Sequence, residues 1–203
     1  THIKLNAFPQ ALSKLTHAHE LRPNEPYILQ RLVLATYKSK EPSELESLMQ
    51  ARTLLAQLSP ADSNDPETTG LAGAIQKRLW LVARDPIQLD KAIEYYNRGF
   101  TIRKDYYNGE NLASCLNLKS EIQTDANQKA FYETAAKNTR LKLYDLLNAL
   151  ITSPDFDDRN DKKWIFATVV PILAFMPWCF ILFGQMARVH SGYWITSLTP
   201  DTA

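Results

Sequence analysis

The chain has 203 residues, 45% of them hydrophobic and 22% charged, with a formal net charge of +1. That is enough apolar material for one or two cores, which excludes a wholly disordered chain. So even a charge balance also excludes a long-range field for drawing in nucleic acid or an anionic membrane; either would have to be met by a local patch, and no nucleic-acid partner is expected.

Taken from the start, Thr1 to Gln10 contains no apolar h-region and does not read as a signal peptide. The missing initiator Met leads us to expect a fragment of a longer chain. Glycines are scarce and mostly lie between apolar-periodic segments, and alternating Val, Ile and Thr runs are absent, so the chain reads as all-α. Helices are expected over 8–21, 26–38, 43–58, 66–84, 88–103, 107–119, 125–152 and 161–185. Turn signals separate them: Arg22-Pro23-Asn24, Lys40 to Ser43, Ser59 to Pro66, Arg84-Asp85-Pro86, Asn108-Gly109 and Ser153-Pro154-Asp155. Ser43 and Asp65 suit N-caps and Pro66 a first helical turn.

Self-similarity runs through this helical pattern. Ala11, Leu15, Ala18 and Pro23 fall at offsets 0, 4, 7 and 12; Ala51, Leu55 and Leu58, then Ala92, Tyr96 and Gly99, repeat the 0, 4, 7 part, with starts 40 and 41 residues apart. Amphipathicity alone explains the short offsets but not the long one. The pattern resembles the second helix of the tetratricopeptide repeat, in which a small residue admits a neighbouring helix, a larger one fills the gap and a proline ends the helix. Leu32, Val33 and Thr36, then Leu71, Ala72 and Ile75, take the places of the first helix. The later repeats lack the proline, the Trp-Leu-Gly-Tyr form is missing, and the period exceeds the family's usual ~34 residues. Extended helices and an irregular superhelix are therefore expected, with an ordinary helical bundle as the alternative. The seams should be lined by Ala11, Leu15, Ala18, Leu55, Leu71, Ala72, Ala92, Tyr96, Gly99, Leu112 and Ala113.

A narrower resemblance rests on ETTGLAGAIQKRLW, LDKAIEYYNRGF, DYYNGENLASCLNL and, after a long helix, DKKWIFATVV, in that order. These segments, over about residues 65 to 170, are similar to the TRAFs-binding domain, the helical central region of apoptosis signal-regulating kinases that also occurs in bacterial repeat proteins. The resemblance implies a protein-binding regulatory module that takes a protein partner or docks on an adjacent domain of the same chain. Within it, residues 89 to 103 read as a repeat's second helix and Lys104 to Gly109 as the inter-repeat turn. Tyr95, Tyr96, Tyr106 and Tyr107 read as packing residues with hydroxyls at the rim.

No constellation supports catalysis or a cofactor. His17 and His19 are two apart and point to different helix faces, so Glu20 does not complete a metal site with them. The acidic run Asp155, Asp157, Asp158 and Asp161 has Asn160 where a calcium loop needs glycine and Phe166 where it needs glutamate, and reads as a solvated linker with a helix N-cap. The two cysteines, Cys115 and Cys179, are too few for a disulfide framework and fit a reducing, cytoplasmic setting; Cys115 sits on an apolar face and reads as buried and inert. The six glycines are scattered singly and form no phosphate loop. Basic residues from Arg98 to Lys142 interleave with acids and read as a solvated face. No small-molecule ligand is expected.

Residues 164–184, WIFATVVPILAFMPWCFILFG, hold 21 residues without a charge, and a helix of that length reaches about 30 Å, enough for a bilayer core. Pro171 and Pro177 interrupt it. Three readings stay open: a buried terminal helix pair, a membrane anchor, and a tail foreign to the array from Pro171 onward, including a shifted reading frame. The chain is thus read as a helical repeat array over 1–161 and a hydrophobic terminal part over 162–203. Its expected role is a non-catalytic interaction scaffold or regulatory module of a signalling protein, in the cytoplasm. A membrane-anchored adaptor is the alternative. The binding surface should come from exposed positions of the first helices.

Overall fold

A computed structural model describes residues 7–153 of the chain. Among the described residues there are seven helices and no strand: α1 (Phe8–Leu21), α2 (Pro26–Ser39), α3 (Glu44–Ala56), α4 (Pro66–Ala83), α5 (Pro86–Arg103), α6 (Tyr106–Glu121) and α7 (Ala126–Ile151). The helices up to Ala149 belong to one compact unit.

Local chemistry sets the starts. Proline occupies the first turn of α1, α2, α4 and α5, where its missing N–H is no loss. The side chains of Ser43, Asp65, Asp85 and Asp105 accept backbone N–H groups at the heads of α3, α4, α5 and α6. The ends of α2, α4 and α5 are made by Lys40, Arg84 and Lys104, each with a left-handed backbone at φ between 53° and 59°. A cation there also faces the negative end of the helix dipole.

Consecutive helices from α1 to α6 pack on one another. In addition α2 packs on α4, and α4 on α6, whereas α3 touches neither α1 nor α5 in this way among the described residues. The even-numbered helices therefore form a continuous inner row and the odd-numbered ones are spaced apart outside it. This is the helix-pair array of a tetratricopeptide-like solenoid.

The repeat positions sit where the seam argument puts them. Ala51 and Ala92 are both fully buried, as are Leu55, Leu71, Ala72, Tyr96, Gly99, Leu112 and Ala113. Leu15 and Ala18 are only half-buried, and Ala11 is the single buried residue of α1, because α2 is its sole packing neighbour among the described helices. The small residues earn their place by close approach. The ring of Tyr96 lies flat over Gly73, so that a Cβ there would meet three ring atoms at 2.9 Å; at Gly99 it would meet Asn108 Oδ1 at 2.6 Å and Thr69 Oγ1 at 2.7 Å.

The pair Asn108-Gly109 is not the break its composition predicts. Helix α6 already begins at Tyr106, and the turn shrinks to Lys104 and Asp105. Asp105 Oδ1 accepts the Asn108 N–H at 2.9 Å, and the Asn108 amide, 2% exposed, donates to Asp105 Oδ2 and to the Pro66 carbonyl. Tertiary packing of α6 on α4 and α5 thus overrides a local turn preference. The expected boundary at 161/162, the acidic run from Asp155 to Asp161, the predicted helix 161–185, Cys179 and the apolar stretch 164–184 lie outside the described residues. No described helix is long and apolar enough to cross a membrane.

Candidate functional site

The inner row carries three stripes with one spacing. On α2 the residues are Tyr27, Arg31, Leu34 and Lys38; on α4, Glu67, Leu71, Ala74 and Arg78; on α6, Tyr107, Asn111, Ser114 and Leu118. Within each the steps are 4, 3 and 4, which keeps a stripe on one helix face. From stripe to stripe every position advances by 40 residues. The repeat period thereby lays three like-facing rows side by side.

Side chains tie the rows together. Arg31 is ion-paired with Glu67. The Arg78 guanidinium lies 5.3 Å from the Tyr37 ring centroid and the Lys38 ammonium 5.8 Å from it, so one buried ring carries two cations. Lys77 Nζ donates to Ser114 Oγ at 2.9 Å and to Asn111 Oδ1 at 3.4 Å. A cavity of about 240 Å³ opens between the rows, lined by Leu34, Tyr37, Glu67, Leu71 and Tyr107. That is below the ~300 Å³ at which metabolite pockets begin, and suits a single inserted side chain.

Charges of both signs surround the groove, with Glu67 in the cavity lining and Lys38, Lys77 and Arg78 around it. Burial, followed by the nearby cations Arg78 and Lys40, holds the Lys38 ammonium below its usual pKa. Burial and the neighbouring Tyr107 push the Tyr37 phenol well up, against the pull of Arg78, so it stays neutral; burial likewise raises Tyr107. Glu67 is the one acid in the cross-links, and it is committed to Arg31. Lys38, Lys77 and Arg78 have no carboxylate within ion-pair distance among the described residues.

The remaining sequence candidates fall elsewhere. Cys115 is fully buried, and burial pushes its thiol up to about 11 against the opposing pull of Lys77, so it is no nucleophile at neutral pH. His17 pairs with Glu20 on an exposed part of α1, and no cluster of metal-ligating side chains occurs among the described residues. Tyr96 is a core residue in edge-to-face contact with Tyr107 at 6.2 Å, while Tyr107 is half-exposed and belongs to the groove as well as to the packing. Tyr37, Lys38, Lys77 and Arg78 were not singled out from sequence. The signal that locates the last three is the 40-residue advance applied to charged positions, Lys38 to Arg78, with Lys77 beside it.

A family model described as Tetratricopeptide Repeats-Sensor matches residues 7–116, just over half of the 203-residue chain, including α2, α4 and the first part of α6. No curated protein and no solved structure matches it. The array, its period and this match agree: the chain belongs to the Tetratricopeptide Repeats-Sensor family.

Proposed function

We propose that this chain is a non-catalytic interaction module that receives an acidic protein segment along its inner row. The observation that carries the reading is the groove across α2, α4 and α6: a side-chain-sized cavity is walled by Tyr37, whose ring carries Lys38 and Arg78, Lys77 beside Arg78 reaches α6, and none of the three cations is ion-paired with a carboxylate among the described residues. Acidic side chains of the segment pair with the cations, and one apolar or aromatic side chain fills the space between Leu34, Leu71 and Tyr107. Tetratricopeptide-type repeats serve protein–protein contacts, which supports this class of partner. The resemblance to the TRAFs-binding domain supports a finer role, as the regulatory part of a signalling protein that engages a partner or an adjacent domain.

Selection of random peptides on the immobilised full chain tests the reading. Enriched peptides should carry Asp or Glu next to an aromatic or branched residue, and their affinity should fall by about tenfold or more in a Lys77→Glu, Arg78→Glu double variant, the scale of two close charge pairs reversed. Peptides with no acidic bias, or binding that survives the reversal, would remove the groove from consideration.

A further inference from the structure

A second cavity, of about 330 Å³, lies on the flank of α4 turned toward α3 and α5, and shares no lining residue with the groove. It follows from the architecture: α3 and α5 are both packed on α4 but not on each other, so a gap between them remains over α4. Its floor is apolar, formed by Leu55, Ala72 and Ile75, each at most 5% exposed. Tyr95 and Arg52 line it as well, and so does Asp62, so that one cation and one carboxylate share the lining. The segment 59–62 closes the remaining side and is pinned from across the gap, where Arg98 of α5 donates to the Ala61 carbonyl.

One group in this cavity is out of place in a merely packed gap. Gln76 is 7% exposed, it lines the cavity, and its Oε1 has no hydrogen-bond partner among the described residues. Leaving a buried acceptor unmatched costs about 1–3 kcal/mol, whereas an apolar residue of the same shape would be neutral or better there. Arg52, in turn, has no carboxylate within ion-pair distance among the described residues. A buried acceptor, an apolar floor with one aromatic ring and an arginine that the lining carboxylate Asp62 does not ion-pair call for a molecule that brings a donor, a ring and an anionic group. A volume at the lower end of the ~300–1,000 Å³ of ligand sites limits it to one ring system with a short chain.

We propose that this cavity binds a small amphiphilic organic anion, whose N–H or O–H donor meets Gln76 Oε1 and whose carboxylate meets Arg52. The site is distinct from the protein-binding groove, and its occupancy does not depend on that reading. Three probes separate the contributions by calorimetric titration into the full chain: indole-3-acetate, which has donor, ring and anion; phenylacetate, which lacks the donor; and indole, which lacks the anion. Saturable binding is expected for indole-3-acetate, about tenfold or more weaker for each of the others, since an unmatched buried polar group discriminates strongly. In Gln76→Leu the advantage of indole-3-acetate over phenylacetate should vanish, while the Tm of the free protein stays level or rises and affinity for the acidic peptides is unchanged. The proposal is overturned if indole-3-acetate gives no saturable heat at millimolar concentration, if the three probes bind alike, or if Gln76→Leu lowers the Tm of the free protein, which would assign the amide to the fold.

Discussion

At Gly99 the chain has no room for a methyl group: Asn108 Oδ1 and Thr69 Oγ1 would lie 2.6 and 2.7 Å from it. Gly99→Ala gains about 1 kcal/mol of helix propensity and loses more to overpacking, because both neighbours are buried and held by hydrogen bonds. The expected net effect is a destabilisation of about 1–2 kcal/mol, read from urea unfolding. Cys115 gives a second residue-scale expectation. Fully buried, with its thiol pushed up to about 11, it should resist alkylation at pH 8 and react only with unfolding, as site-resolved mass spectrometry would report. Rapid labelling of Cys115 in the folded chain would contradict the packing of α6. The small residue at 99 was legible from its offset to Ala92 and Tyr96. The role of Asn108 was not, because its partner carbonyl on Pro66 is 42 residues away.

At the scale of elements, the start of α4 is held by Asp65. Burial acts to raise its pKa, but hydrogen bonds from the Thr68 hydroxyl and N–H, the Glu67 N–H and the Gln30 amide outweigh it, and the carboxyl is held below its usual value of 3.8. A depressed pKa contributes stability that is present above the unfolded value, near 4, and is lost as pH falls through the lower folded value. Asp65→Ala should therefore cost about 1–2 kcal/mol at pH 7, and the gap to the parent chain should narrow below about pH 4. Urea midpoints at pH 7 and pH 3 measure it; a gap that widens in acid would refute the capping account. Helix limits such as these were readable almost to the residue, since proline and Asp or Ser mark them chemically. The expected helix over 107–119 starts within one residue of α6, but Asn108-Gly109 was misread as a break, because Asn-Gly is a strong local turn signal that packing of α6 on α4 and α5 overrules. The cavity over α4 left no sequence trace, as it depends on the distance between α3 and α5.

For the whole array, burial is concentrated in its middle. Helix α4 buries residues along most of its length, from Thr68 to Trp80, while α1 buries only Ala11. Amide hydrogen exchange should accordingly be slowest in α4 and fastest in α1 among the described helices, with α2 and α6 between them; protection of α1 equal to that of α4 would show an additional neighbour for α1. The inner groove makes a further expectation at this scale. If cations draw in the acidic segment, raising salt from about 0.05 M to about 0.5 M should weaken its binding several-fold, as exposed charges are screened within roughly 10 Å or less.

The even-numbered helices form an unbroken row while the odd-numbered ones stand apart. Such a body has one stiff edge and one compliant edge, like a spine with fused vertebral fronts and free processes behind. Bending that spreads the inner row must break helix contacts, whereas bending that spreads the outer helices meets none among them. A force applied across the array will be taken up by the back, between α3 and α5, before the front gives way.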